Sequence, residues 1–224
     1  MVTISVVIPH YWAERRVNIP QVVAALREGE CIPDEIIIWN NEEPFKINEP
    51  STYVVQSPFN LGCKARFLGA MVARSEYILF MDNDVFVKRH TLRDLQHWAG
   101  KLEGIVSFCG RQLTEGMSYF DGRSLVSGHL LIAPTAVDVA MGQCELVKKS
   151  VVNKMLGDLP FEATNVNDDM WFSVVAKEHG IMRWVVPFVA GESGFEVRDR
   201  GVGMVFNPKS FLPERDELCQ RYFR

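Results

Sequence analysis

Two aspartates separated by one residue follow a five-residue apolar run. Asp82 and Asp84 come directly after Tyr77–Met81, and such a run predicts a fully buried strand. Because side chains alternate along an extended chain, we expect both carboxylates to converge on one point beyond the strand. Carboxylates placed in this way bind Mg²⁺ together with substrate phosphate oxygens. The pair therefore predicts a metal site, although an Asx-type turn at a strand end gives the same pattern.

A second acidic pair lies at the predicted start of a late helix. Asp168 and Asp169 follow Asn167, and the helix is expected to stop at Gly180. A helix N-terminus favours an ionised carboxylate, and a general base must stay ionised until it accepts a proton from a substrate hydroxyl. Asn and Asp are also preferred capping residues, so capping alone is an alternative explanation of this pair.

Alternating strand and helix patterns surround both pairs and predict an α/β domain with a largely parallel sheet. Strands are expected at 4–8, 35–39, 52–56, 77–81, 105–109 and 181–186, and helices at 17–28, 61–74, 92–102 and 168–180. Thr91 with Asp94, and Thr135 with Asp138, have the spacing of capping boxes. In open α/β sheets ligands bind beyond the carboxyl ends of the strands, where the acidic pairs are predicted to lie.

The composition is that of one globular domain. The chain has 224 residues, of which 47% are hydrophobic and 23% charged, and its formal net charge is -4. This charge gives no overall attraction to nucleic acid or to anionic membranes. No apolar run approaches the roughly 20 residues that span a bilayer, and we expect no integral membrane segment. Five scattered cysteines predict reduced thiols and a cytoplasmic protein.

Four segments together resemble the nucleotide-sugar glycosyltransferases of the GT-A fold, in particular the inverting family 2 group. The segments read ISVVIP at 4–9, DEIIIW at 34–39, NLGCKARFLGA at 60–70 and ARSEYILFMDND at 73–84. In that family the third segment has the form N-x-G-x-x-x-A-R-N-x-G, and the fourth ends in D-x-D. The resemblance implies a single Rossmann-like domain over 1–224 with a mixed, mainly parallel sheet flanked by helices. It also implies a nucleotide-binding half at 1–102 and an acceptor and catalytic half at 103–224.

The resemblance further implies a division of roles among the site residues. Asp82 and Asp84 would hold Mn²⁺ or Mg²⁺ against the donor diphosphate, and Asp169, assisted by Asp168, would be the catalytic base of an inverting transfer. The donor, a UDP-sugar by preference, would be bound by Pro9, His10, Tyr11, Asn40, Asn41, Asn60, Lys64, Arg66, Asp82 and Asn83. Family members usually carry Asp where Asn40 and Asn41 stand, so the identity of the base stays open.

The acceptor side is less well defined by the sequence. The resemblance places Gly128, His129 and Trp171 there, although a lone histidine before a strand is more often structural. No histidine follows His179 to act as a late third metal ligand, so that ligand would be Glu192, Glu196, Asp199 or water. A glycan, a protein, a lipid-linked sugar and a modified DNA base all offer an acceptor hydroxyl. Basic residues late in the chain leave a phosphate-bearing polymer open, although they are more often solvated surface, namely Arg111, Arg123, Lys148, Lys149, Arg215, Arg221 and Arg224.

Two other functions are compatible with parts of the sequence. The string Asp82-Asn83-Asp84-Val85 also fits phosphatases of the haloacid-dehalogenase type, in which Asp82 would be a nucleophile. That motif normally follows the first strand, whereas about three strands precede it here. The chain could also be a sugar-nucleotide-binding module without catalytic activity.

Overall fold

The computed structural model describes residues 2–113, 118–160, 167–198 and 212–223. Eight strands form the main sheet, in the spatial order β3-β2-β1-β4-β11-β6-β12-β9. They are β1 Ile4–His10, β2 Glu35–Asn40, β3 Thr52–Gln56, β4 Tyr77–Met81, β6 Ile105–Ser107, β9 Thr135–Ala136, β11 Cys144–Lys148 and β12 Arg183–Val185. Two small sheets contain β5 Val85–Val87, β7 Cys109–Arg111, β8 Leu125–Ser127, β10 Val139–Ala140 and β13 Phe195–Val197.

The main sheet is mixed and mainly parallel, as the sequence predicts. Strands β1 to β4 are parallel to one another, and β6 pairs parallel with β12. Strand β11 runs in the opposite direction between β4 and β6. The first residues of β11 therefore lie at the same edge of the sheet as the carboxyl ends of β1, β2 and β4.

Helices cover both faces of the sheet, because alternate residues of the buried strands point to opposite sides. Val6 and Ile8 of β1 pack on one side with α1 Ile19–Arg27 and α3 Thr91–Ala99. Val7 packs on the other side with α2 Ala65–Val72, α4 Lys149–Met155 and α5 Asp168–Glu178. A third cluster joins α5 to the C-terminal helix α6 Leu212–Tyr222. All the helices that carry acidic or basic site residues are thus anchored by apolar contacts.

Several local predictions from the sequence are wrong. Thr91 caps no helix with its side chain, since its hydroxyl donates to the Gly194 carbonyl. Thr135 begins the strand β9 and does not cap a helix. Asp138 accepts a hydrogen bond from the backbone N–H of Leu113. The sequence does not predict strand β11, because the charged Glu145 interrupts its apolar pattern.

The described residues contain neither a membrane-spanning helix nor a disulfide bond. In the described ranges no helix is long and apolar enough to cross a membrane. All five cysteines lie within these ranges, and none forms a disulfide, as the sequence predicts.

We predict that Gly69→Ala destabilises the protein. A Cβ at Gly69 would lie 2.4 Å from Cγ1 of the buried Val7, where α2 crosses β1. Since a branched strand residue cannot yield easily, we expect a loss of about 1–3 kcal/mol in unfolding free energy, measured by urea denaturation. Gly157→Ala is the matched control, because no atom lies within 4 Å of its added Cβ. Equal stabilities of the two variants would contradict this packing.

Candidate active site

The acidic pairs meet at the carboxyl edge of the parallel strands. Asp82 follows β4 directly, and its backbone N–H donates to the Gln143 carbonyl at the start of β11. The helix α5 begins with Asp168 and Asp169. A Cβ on Gly142 would lie 2.9 Å from Nη1 of Arg66 and 3.2 Å from Cβ of Asp169. A glycine is therefore needed where these three parts of the chain meet.

Arg66 connects the two acidic pairs. Its Nη2 lies 2.5 Å from Oδ1 of Asp82, and its Nε lies 2.6 Å from Oδ2 of Asp168. Nη1 donates to the Gly142 carbonyl at 2.5 Å. Burial by itself lowers the pKa of Arg66, but Asp168 and Asp82 outweigh it and raise the pKa well above the usual value. The guanidinium is a permanent cation that joins α2, the loop after β4 and α5.

Asp84 and Asp169 each have an arginine of their own. Nη2 of Arg15, on the turn after β1, lies 2.8 Å from Oδ2 of Asp84. Arg215 of α6 forms two hydrogen bonds to Asp169, at 2.8 and 3.2 Å, and its guanidinium stacks on Tyr119. In this structure Asp82 and Asp84 thus each contact a different guanidinium.

A further carboxyl group lies beneath the site. Glu145 of β11 is 1% exposed, and its Oε2 has no hydrogen-bond partner among the described residues. Burial raises the pKa of Glu145 well above its usual range, although Arg66 opposes the shift. Burial thus disfavours a further negative charge at Glu145 beside the aspartates.

The side chain of His10 fixes the middle of the acidic loop. Nδ2 of Asn83 donates to Nδ1 of His10 at 2.7 Å. Burial lowers the pKa of His10 to about 4, and Arg16 and Arg15 add to this effect. The ring is therefore neutral, with its proton on Nε2. That atom is buried and has no partner among the described residues.

The predicted donor residues at the ends of β2 and β3 have different roles. The amide of Asn40 is used by Gln56 and by the backbone of Glu42 and Glu43, so it does not face a ligand. Asn41 accepts from the Leu61 N–H, and its Nδ2 is buried without a partner among the described residues. Asn41 thus remains a candidate for base recognition, whereas the side chain of Asn40 is bound within its own loop.

Other predicted donor residues shape the loops around the site. Asn60 accepts from the Gly62 N–H and so forms a local turn. Lys64 ends a short 3₁₀ turn at 62–64 and is partly buried. The hydroxyl of Tyr11 lies 3.0 Å from Sγ of Cys63, and Pro9 is buried within β1. Burial raises the pKa of Tyr11 well above its usual value, so Tyr11 is a neutral wall residue.

The carboxylates fit a divalent cation only in part. The side chain of Asp82 is 29% exposed, so it can offer Oδ2 to a metal ion while Oδ1 contacts Arg66. Asp84 is 7% exposed and is already bound to Arg15. Among the described residues no three His, Cys, Asp or Glu side chains form a ligand group. Glu192 pairs with His90 and Glu196 with Arg198, while Asp199 lies outside the described residues.

The three predicted acceptor residues differ in how accessible they are to a ligand. Gly128 is packed so tightly that a Cβ would lie 2.1 Å from the Val186 carbonyl oxygen. His129 is exposed and pairs with Ser127. Trp171 packs in the third apolar cluster, and its ring lies 5.7 Å from that of Tyr222. Trp171 is therefore mainly a contact between α5 and α6.

Sequence reasoning missed several residues that complete the site. Arg15 lies in a charged stretch, 14–16, that has the pattern of a solvated turn, yet it is buried. The sequence favours a solvated surface position for Arg215 and Arg111, but both are buried against Tyr119. Arg224 lies outside the described residues. The number of aspartates near one another in the sequence was the one indication of these arginines, because buried carboxylates need positive partners.

Comparison with known proteins decides the family. Residues 5–156 match the family model described as glycosyl transferase family 2. The chain belongs to glycosyl transferase family 2. The predicted family is thereby confirmed, and the match includes the acidic loop and Arg66. No curated protein matches the chain by sequence.

Solved structures of the S. aureus protein TarS, residues 1–349, share the GT-A fold of this family 2 chain. One structure has a TM-score of 0.59 and 16% identity, and the match covers 87% of this chain and 59% of TarS. A TarS complex with UDP-GlcNAc has a TM-score of 0.61 and 14% identity, with 90% and 61% covered. A TarS complex with UDP gives 0.59 and 14%, with 87% and 59% covered. The chain thus spans about three fifths of the TarS length.

We predict that Asp168 makes the protein less stable as the pH rises. Burial raises the pKa of Asp168 to about 6, although Arg66 opposes the shift. The unfolded value is about 3.9, so between about pH 4 and 6 the native state binds more protons than the unfolded state. In this window the contribution of Asp168 to stability falls with increasing pH.

Urea denaturation of the wild type and of Asp168→Asn at several pH values measures this contribution. The wild type should lose about 2–3 kcal/mol relative to the variant between about pH 4 and 6. A stability difference that does not change across this window would show that Asp168 does not titrate there.

Proposed function

We propose that this family 2 glycosyltransferase moves a sugar from a UDP-sugar to an acceptor hydroxyl, with inversion at the anomeric carbon. The observation that carries the proposal is the contact of one guanidinium, that of Arg66, with both Asp82 and Asp168. A group that holds the diphosphate and a group that accepts the acceptor proton must lie within one sugar of each other. The contacts of Arg66 with both acidic pairs support this arrangement.

Two unpartnered donors support recognition of a nucleobase. The Nε2–H of His10 and the Nδ2 of Asn41 are buried without partners among the described residues, and the Asn41 N–H donates to the His10 carbonyl. Buried donors cost free energy unless a ligand or water accepts from them. Uracil offers carbonyl oxygens as acceptors. The TarS structures with UDP and UDP-GlcNAc belong to the same fold, and this supports a UDP-sugar donor here.

Asp169 is the proposed catalytic base. It lies in the first turn of α5, where the helix dipole favours its ionised form, and Arg215 holds both of its oxygens. Its side chain is 12% exposed, so an acceptor hydroxyl can reach only one face. Asp169 would take the proton of that hydroxyl while the oxygen attacks the anomeric carbon. Asp168, paired with Arg66, would orient the start of the helix.

A divalent cation, Mn²⁺ or Mg²⁺, would be held by Asp82 and, once Arg15 is released, by Asp84. When bound, it would stabilise the charge that develops on the leaving diphosphate. Arg66 would keep Asp82 in place and add positive charge beside the same phosphates. The nucleotide would occupy residues of the first half, to 102, and the acceptor those of 103–224.

The acceptor remains a class of hydroxyl-bearing molecules: a glycan, a protein, a lipid-linked sugar or a modified DNA base. The phosphatase alternative loses its support, because the chain belongs to a glycosyltransferase family and the acidic loop follows the fourth strand in chain order, β4. A non-catalytic module is distinguished from an enzyme by turnover, which the following experiment measures.

We predict that Asp169→Asn separates donor binding from transfer. UDP and UDP-GlcNAc with Mn²⁺ should stabilise both the wild type and the variant, by about 2.7 kcal/mol at a hundredfold excess over Kd, in thermal unfolding. Release of UDP from the donor, measured with a panel of glycan, peptide, lipid-linked and DNA acceptors, should fall about 10²–10⁴-fold in the variant.

Asp158→Asn is the control for this prediction. Asp158 is 60% exposed and pairs with His179 away from the acidic loop, so this variant should bind and turn over donor as the wild type does. Failure of every nucleotide to stabilise the protein would refute the donor site. Wild-type turnover by Asp169→Asn would refute the role of the base.

A further inference from the structure

The two carboxylates of the acidic loop are not equivalent. The side chain of Asp82 is 29% exposed, and its Oδ1 contacts Arg66. Asp84 is 7% exposed, and its Oδ2 lies 2.8 Å from Nη2 of Arg15. The backbone of Asp84 is also fixed, because its carbonyl accepts from the Arg198 N–H. Asp82 is thus open to a ligand, whereas Asp84 is closed by a cation of the protein itself.

Besides Asp84, Arg15 contacts Trp12 and Asn83. Its side chain is 6% exposed, and its guanidinium stacks on Trp12 at 4.5 Å. A longer contact, 3.4 Å, joins Nη1 to Oδ1 of Asn83. The residue lies on a short 3₁₀ turn, 13–18, rather than in the sheet or in a long helix.

We propose that Arg15 is an internal cation that competes with the divalent metal for Asp84. A metal ion on Asp84 would lie beside the Arg15 guanidinium with little water to screen the two positive charges, because Asp84 is only 7% exposed. The more exposed Asp82 can offer Arg66 and a metal ion different oxygens. In the nucleotide-free protein Arg15 therefore neutralises Asp84 and keeps a metal from it. This inference rests on the proposed donor site and assigns a further role within it.

Donor binding gives Arg15 another partner. A diphosphate offers several charged oxygens, and guanidinium groups bind such oxygens strongly. Transfer of Arg15 from Asp84 to the diphosphate opens Asp84 to the metal that binds the same diphosphate. Nucleotide and metal should then each increase the affinity for the other by the same factor. Without nucleotide, Asp82 is the carboxylate of the acidic loop that stays open to a metal.

The test measures Mn²⁺ binding to the nucleotide-free protein by electron paramagnetic resonance of the free ion. Arg15→Gln should bind Mn²⁺ about tenfold more tightly than the wild type, or more, since groups next to metal ligands commonly change affinity by 10–100-fold. Arg16→Gln is the matched control. It removes the same charge from the same turn, but Arg16 contacts the carbonyls of Glu43 and Pro44 and not Asp84. It should leave the affinity unchanged.

The double variant Arg15→Gln with Asp84→Asn assigns the gain to Asp84, because it should return the Mn²⁺ affinity to the wild-type value. If Arg15→Gln folds poorly, Mn²⁺ should raise its melting temperature far more than that of the wild type, since the ion replaces the lost cation. Equal Mn²⁺ affinity in the wild type, Arg15→Gln and Arg16→Gln would overturn the proposal. The donor site could still be correct in that case, because stabilisation by UDP tests it separately.

Discussion

The buried guanidinium of Arg66 is the constraint on which the site depends. It contacts the loop after β4 through Asp82, the start of β11 through the Gly142 carbonyl, and the start of α5 through Asp168. These elements are far apart in the sequence, and β11 starts at the edge of the sheet where β4 ends because the two strands are antiparallel. A buried cation requires several acceptors, since desolvation is costly unless hydrogen bonds and opposite charges offset it. Arg66 donates hydrogen bonds to Asp82 and to the Gly142 carbonyl and forms an ion pair with Asp168, and the proposed donor site and catalytic base lie on these same segments.

Charge balance explains why the remaining aspartates are also paired. Asp82, Asp84, Asp168 and Asp169 face Arg15, Arg66 and Arg215, while burial raises the pKa of Glu145. The four aspartates outnumber the three arginines by one, and a bound diphosphate would add more negative charge. In the proposed function a divalent cation supplies the missing positive charge, and the arginines stabilise the nucleotide-free protein until it binds. The same ion pairs that hold the acidic pairs in place therefore set the conditions for ligand binding.

The fold was predictable where the pattern was local. Strands β1, β2, β3 and β4 are continuous apolar runs, and the start of α5 at Asp168 is given by two acidic residues after Asn167. Strand β11 was missed because Glu145, which serves the site, interrupts its apolar run. The acidic pairs could be found from their spacing, but their arginine partners could not. Arg15 and Arg215 lie 69 and 46 residues from the aspartates they bind, and only the folded chain brings them together.

The coupling between Arg66 and Asp168 tests this account most directly. Unfolding free energies of the wild type, Arg66→Met, Asp168→Asn and the double variant form a double-mutant cycle, measured by urea denaturation at pH 7. If Arg66 joins the acidic loop to α5, the cycle should give a favourable coupling energy of about 1–3 kcal/mol. A coupling energy indistinguishable from zero would contradict the account, because the two acidic pairs would then be placed independently of the guanidinium.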